Sequence, residues 1–311
     1  MKRMTVYLTH PPQNCNGAIS VIHRLPFRGG FGRLAAMNHS LPTRSFRIGF
    51  LAIFLALSGG IIANAELAGT GPGFKGPVGL QFESLGGQFG RDVSRTLDEV
   101  RDFGFKYVEL VGTYNLPAEK FKAELNARGL EPVSCHYSYQ RCRDDVEGIA
   151  RDAKILGFKY VVCRSIPHDK PVDENTIRDA ITVFNRAGEA LAKRGLKFAY
   201  HPHGYEFKPR GNETLFDLLM TETNPQFVHY QMDIFWVVHA GQNPVKLLEK
   251  YGKRWDTMHL KDMKKGTPTG LVTGKSDGAN DVVLGTGQID LPAVLRAAKT
   301  AGVAWYFIED E

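Results

Sequence analysis

The first 65 residues contain no aspartate or glutamate, against seven lysines and arginines. A segment so one-sided cannot share a solvated surface with the rest of the chain, and it reads as a targeting segment. Long apolar runs are also missing. The longest, Ile48–Ile62, is about 15 residues, is broken by Ser58-Gly59-Gly60, and falls short of the roughly 20 needed to span a bilayer. Arg44 and Arg47 stand before this run and Ala63-Asn64-Ala65 after it, the order of a secretory signal peptide. Cleavage is therefore expected after Ala65, with a membrane anchor as the competing reading. Residues 1–36 have no place in that pattern, so Met37 is the expected initiator. The mature protein is expected in the periplasm or outside the cell, free of the membrane.

Cysteine is scarce too. Cys15 falls in the leader, which leaves Cys135, Cys142 and Cys163. An odd number without a CxxC pair gives no disulfide framework, and Cys135 and Cys163, each ending an apolar run, are expected to be buried. The formal charge of +6 disappears with the leader, because 32 basic residues then face 33 acidic ones, a net of −1. That removes the basic footprint that nucleic-acid binding requires. The only run resembling a dinucleotide fingerprint, Gly69-Thr70-Gly71-Pro72-Gly73, contains proline and precedes the first strand, so a doubly wound nucleotide fold is discounted.

What is present is alternation. From Val78 onward, short apolar runs alternate with longer segments of helical period about eight times, the pattern of βα units around a parallel sheet. Strands are expected at Val78–Phe82, Tyr107–Leu110, Pro132–His136, Tyr160–Cys163, Lys197–His201, Val228–Asp233, Trp255–Lys261 and Trp305–Glu309. Helices are expected at Arg91–Phe103, Pro117–Arg128, Asp144–Leu156, Asn175–Arg194, Thr214–Thr221, Pro244–Tyr251 and Leu291–Ala301, the last capped by Asp290. Residues 66–311 thus fit a single (β/α)8 TIM barrel of ordinary size, with the eighth helix expected to be missing by truncation. Met263–Gly287, without periodicity, reads as a mobile loop over one face.

In such a barrel the chemistry stands at the C-terminal ends of the strands. Those ends carry Glu109, His136, His201 with His203, Asp233, His259 with Lys261, and Glu309. A mixed histidine and carboxylate set without thiolates suits one divalent Mn, Fe, Co or Zn ion rather than a structural zinc. Trp236, three residues past Asp233, is either a wall for a sugar ring or core packing. Glu109 is either a binder of sugar hydroxyls, together with His136, or half of a structural ion pair. His168 is expected to face solvent, and His229 and His239 to be structural or exposed.

The segments Tyr107-Val108-Glu109-Leu110, Tyr200-His201-Pro202-His203-Gly204-Tyr205-Glu206-Phe207, Met232-Asp233, Met258-His259-Leu260-Lys261-Asp262 and Phe307-Ile308-Glu309 resemble the xylose-isomerase-like superfamily of sugar phosphate isomerases and epimerases. The resemblance implies one divalent metal held by Glu, Asp, His and Glu at the ends of strands five to eight. Asp233, His259 and Glu309 match the last three. At strand five His201 replaces the usual Glu, so the ligand there is His201 itself, or Glu206 reaching back, or a water.

The reaction so implied is proton abstraction beside a carbonyl, through an enediolate. Glu309 is the first choice of base, His203 or Glu206 the second proton carrier, and Lys261 the oxyanion stabiliser. An exported chain without a phosphate cradle points to a non-phosphorylated or keto-sugar as substrate. The leading expectation is a metal-dependent isomerase or epimerase. Alternatives are a lyase or hydrolase acting on keto-glycosides in the same site, an endonuclease IV-like phosphoesterase, and a sugar-binding protein without turnover.

Overall fold

The computed structural model describes Phe74 and residues 76–310. The expected leader, its cleavage point and Met37 lie outside the described residues. Eight parallel strands close into a barrel in consecutive order. They are β1 (Val78–Gln81), β2 (Tyr107–Leu110), β3 (Glu131–Tyr137), β4 (Tyr160–Cys163), β5 (Lys197–Tyr200), β6 (Val228–Asp233), β7 (Trp255–Leu260) and β8 (Trp305–Ile308). Closure is completed by β8 beside β1, with Val78 opposite Tyr306 and Leu80 opposite Ile308.

The main helices between the strands are α1 (Val93–Asp102), α2 (Ala118–Ala127), α3 (Val146–Leu156), α4 (Glu174–Ala192), α5 (Leu215–Glu222), α6 (Pro244–Tyr251) and α7 (Leu291–Ala301). Their starts are fixed by side chains that accept from otherwise unpaired N–H groups: Asp92, Asp145, Asp173, Asn243 and, as expected, Asp290. Gly157 and Gly302 end α3 and α7 in the left-handed region, at φ 91° and 89°, where a side chain would be strained. On α4 the buried residues Ile177, Ala180, Ile181, Phe184, Ala187 and Leu191 recur at helical spacing and face the sheet. Phe184 packs on Phe198 and Tyr200 of β5, which therefore point outward.

Alternation then sends the neighbours of those residues into the barrel. The inner wall is layered. Tyr107 packs edge-on against Trp305 near the strand starts, with Val133, Tyr160 and Phe307 in the same cluster. Gly79 of β1 gives Phe307 its room, since a Cβ there would lie 2.8 Å from the ring and 2.8 Å from the Tyr107 carbonyl. Above this apolar plug the inward residues turn polar: Glu109, Ser134, His136, His201, Gln231, Asp233, His259 and Glu309, all buried.

One expectation is corrected. The segment after β7 is not a free loop. It opens with a short antiparallel pairing of Asp262–Met263 with Asp281–Val282, and the buried carboxylate of Asp262 accepts from the N–H groups of Gly285 and Gly287 at 2.9 and 2.8 Å. A further helix, Ile234–His239, follows β6 directly. The side chain of Asp233 caps its apolar Ile-Phe-Trp-Val-Val run through the Trp236 N–H at 3.1 Å. Among the described residues Cys135, Cys142 and Cys163 are free and buried. Among the described residues no helix is long and apolar enough to cross a membrane.

Candidate active site

At the C-terminal ends of the strands lies a cavity of about 230 Å³ lined by Gln81, Glu83, His136, Arg164, Ser165, His201, His203, Trp236 and Glu309. It is slightly below the roughly 300 Å³ at which ligand pockets usually begin, which suits a small molecule. A larger groove, about 560 Å³, lies at the opposite end, beside Phe158 and Leu196, and contains no histidine. Arg194 there already pairs with Glu147, so the smaller cavity is the one that carries chemistry.

Two sets of donors converge below it. Asp233, His259 and Glu309 bring one ligand atom each within 4.8 Å of the others, and so do His136, His201 and His259. His259 is shared. Its Nδ1 lies 2.9 Å from Glu309 Oε2 and 4.0 Å from Asp233 Oδ2, while its Nε2 meets Glu109 Oε2. His201 Nε2 stands 3.9 Å from the same Asp233 Oδ2. That Asp233 oxygen is buried and has no hydrogen-bond partner. An orphaned buried carboxylate oxygen is costly unless a cation or a proton meets it. Two imidazole nitrogens about 4 Å away are spaced as two donors roughly 2.1 Å from one ion can be. The donor set therefore fits a divalent metal.

Electrostatics agrees with the geometry. Burial raises the Asp233 pKa to about 7, with Lys261 and His259 opposing the shift. For Glu309 burial also pushes upward, but His259 and Lys261 outweigh it and hold the carboxyl at about 2. Burial disfavours the His259 cation, yet Glu309 and Glu109 on either side keep its pKa well above the ordinary value. Burial and the neighbouring His259 and His203 push His201 well below the usual range, and burial takes His203 down to about 4. A bound cation would be the largest charge present and would hold Asp233 ionised.

The other expected residues divide. His203 and Trp236 face the cavity, with their rings 5.9 Å apart. Lys261 is buried, its Nζ 6.0 Å from the Trp236 ring and 3.7 Å from Asp281 Oδ2. Glu206 does not reach back. Beyond Gly204, at φ 97°, the chain turns so that the buried Glu206 carboxylate receives the Tyr200 hydroxyl, on the outer face of β5, and the His203 N–H at 3.1 Å. Burial raises its pKa to about 7, against the Tyr200 hydroxyl. Its assignment as strand-five ligand or proton carrier is corrected to that of a loop anchor.

Glu109 is likewise displaced from the role of sugar binder. It is wholly buried beneath the cavity and accepts from Ser134 Oγ at 2.5 Å and Gln231 Nε2 at 2.8 Å, besides its contacts with His136 and His259. No arginine pairs with it, so the structural ion pair is also replaced, by imidazoles. Gln231 and Ser134 were not singled out in the sequence. The period of two on β6 that places Asp233 inward places Gln231 inward as well. His229 and His239 are structural: His229 Nδ1 is 3.5 Å from Asp256, and His239 stacks on Phe235. His168 is exposed.

Fold and donor set define a TIM barrel with a candidate metal site at its strand ends, and the family model for the xylose isomerase-like TIM barrel matches residues 97–311. The chain belongs to that family. An inosose dehydratase from Clostridium botulinum is 25% identical over 247 residues, covering 70% of this chain and 81% of its own length. A sugar phosphate isomerase/epimerase structure from Parabacteroides distasonis is 25% identical with a TM-score of 0.61, covering 75% of this chain and 86% of its own. The IolI protein, solved with a bound zinc atom, shares the fold at 16% identity and a TM-score of 0.58, over 75% of this chain and 88% of its own.

Proposed function

We propose that the protein is a metal-dependent lyase that removes water from a non-phosphorylated keto-sugar or keto-cyclitol. One observation carries this choice over epimerisation. Inverting a carbon by proton exchange needs a base on each face of the substrate, and the strand-five position offers His201 while Glu206 is turned away. Two carboxylates line the cavity; Glu83 is exposed at its rim, and Glu309 is the buried one that belongs to the donor set and serves as base. Elimination needs one base and a leaving group. The name of the Clostridium relative supports the same reading, and the zinc of the IolI structure supports a metal in this barrel.

Asp233, His259 Nδ1 and Glu309 would hold the ion, with His201 Nε2 beside Asp233 as the fourth donor. A bound Mn, Fe, Co or Zn would supply Lewis-acid polarisation of the substrate oxygens. Glu309 takes the proton from the carbon beside the carbonyl, within the hydrogen-bond reach such a base requires. His203, whose Nδ1–H faces the His201 carbonyl at 3.1 Å, offers an unprotonated Nε2 to the cavity; it receives from Glu309 the proton taken off carbon and passes it to the departing hydroxyl. The hydroxyl leaves as water and a carbon–carbon double bond forms. Lys261 adds positive potential next to the developing oxyanion, and Trp236 forms the apolar wall for the ring.

The test is incubation of metal-loaded protein with keto-cyclitols and keto-sugars in D2O, followed by NMR and mass spectrometry. A lyase gives product lighter by one water. Product of unchanged composition carrying one deuterium would establish the isomerase or epimerase reading instead. Binding without either change would mark a sugar-binding protein. Export also belongs to the proposal: residues 1–65 act as the leader, and N-terminal sequencing of the mature protein is expected to begin at Glu66.

A further inference from the structure

We infer that Glu109 and Gln231 form a buried clamp that fixes which nitrogen of each site histidine carries a proton, and so which nitrogen is offered to the ion and the substrate. The inference rests on the metal reading above and extends it to two residues that touch neither metal nor substrate. They are positioning residues.

The hydrogen-bond chemistry leaves one consistent arrangement. Glu109 as a carboxylate can only accept. Gln231 must therefore turn its amide nitrogen toward Glu109 Oε1, at 2.8 Å, and its carbonyl oxygen Oε1 toward the imidazoles. That oxygen has His136 Nε2 at 2.8 Å and His201 Nδ1 at 2.9 Å. Both nitrogens face an acceptor, so both are the N–H of their rings. His259 Nε2 faces Glu109 Oε2 in the same way. What remains is a lone pair on His136 Nδ1 and His201 Nε2, while His259 Nδ1 faces the Glu309 carboxylate at 2.9 Å and is the one nitrogen of that ring that an ion beside Glu309 would meet in place of a proton.

The three nitrogens that face away from the clamp lie where the site needs them. His259 Nδ1 and His201 Nε2 are the atoms 4.0 and 3.9 Å from the orphaned Asp233 oxygen. His136 Nδ1 is buried without a partner in a residue that lines the cavity. The clamp also chooses between the two donor sets that share His259. With Nε2–H committed to Glu109, the ring can serve the Asp233–Glu309 set through Nδ1 and is closed to a centre that would use Nε2. Partners of this kind, holding the far nitrogen of a ligating histidine, alter metal affinity by about 10–100-fold when removed.

The test is long-range proton–nitrogen NMR on protein labelled with 15N-histidine, together with zinc affinity by chelator competition. In metal-free wild type above neutral pH, His136 is expected to be protonated on Nε2 and His201 on Nδ1; after zinc addition His259 keeps its proton on Nε2 and Nδ1 shifts on coordination. In Glu109→Gln the zinc affinity is expected to fall about 10–100-fold, with the fixed tautomers of the three rings lost. The opposite tautomers in wild type, or unchanged tautomers and affinity in a folded Glu109→Gln, would overturn the clamp. Wild type that takes up no zinc yet shows the expected His136 and His201 tautomers would overturn the metal reading alone.

Discussion

The two ends of the barrel bury charge in opposite ways. Near the strand starts the inward charges are paired with one another: Lys197 Nζ lies 3.0 Å from Asp256 Oδ2. They close the floor beside an aromatic plug. At the strand ends, Asp233 and His136 are buried more deeply, and each keeps one polar atom without a hydrogen-bond partner. Satisfied buried groups hold a structure together, and unsatisfied ones mark where a missing partner belongs. The same contrast separates two carboxylates of the upper end, Glu109 with its four donors and Asp233 with a free oxygen.

The largest effect that would break this contrast is expected from Asp233→Ala. Elemental analysis should find the bound metal lost and turnover at background, while the fold persists; retained metal would place the ion elsewhere. His136→Ala should keep its metal but lose about 10²–10⁴-fold in kcat if its free nitrogen serves proton transfer; loss of metal instead would move the centre to the three-histidine set. Gly79→Ala, which forces a methyl against Phe307 and the Tyr107 carbonyl, should cost about 1–3 kcal/mol in urea unfolding with metal binding unchanged.

Asp217 gives a test that involves only the outer shell. It completes the cap of α5 and receives Lys250 Nζ at 2.6 Å and the Tyr251 hydroxyl. Burial opposes its ionisation, but Lys250, Tyr251 and Thr214 outweigh it and hold the pKa at about 2, below the ordinary 3.8. A carboxyl depressed on folding stabilises fully above its unfolded pKa and loses that contribution as pH falls toward its folded value. Wild type should therefore exceed Asp217→Asn in stability at pH 6, with the gap closing between about pH 4 and pH 2. A constant gap would assign the role to packing. The smallest effect belongs to Lys197→Met, where a half-exposed ion pair should change stability by no more than about 1 kcal/mol.

The strands were legible because their apolar runs are short and bounded, and β2, β4 and β6 coincide with the expected limits. Asp233, His259 and Glu309 were legible for a related reason: a charged residue closing an apolar run has one place to go in a barrel. Glu206 was not, because a residue six positions past Tyr200 can point either way, and the left-handed turn at Gly204 decides. Gln231 was hidden differently. An amide inside a strand has no chemical signature of its own until its neighbours are known, and its three partners come from strands two, three and five. Glu109 was recognised as significant, yet sequence does not say how deep along the barrel axis a side chain sits, and depth separates a group that meets substrate from one that orients those that do.

The carboxylate of Asp262 joins both ends of the segment that follows β7, holding Gly285 and Gly287 beside the strand from which the segment departs. Lys264 N–H closes the same neck on the Asn280 carbonyl at 2.8 Å. Farther out the segment runs past the mouth, where Leu271 N–H bonds the His239 carbonyl and a Cβ at Gly274 would lie 3.5 Å from that of His203. Residues 265–279 hang from that neck and meet the mouth beside His203 and His239, so the part of the segment that touches the rim is held at both ends next to the strand end that carries His259 and Lys261.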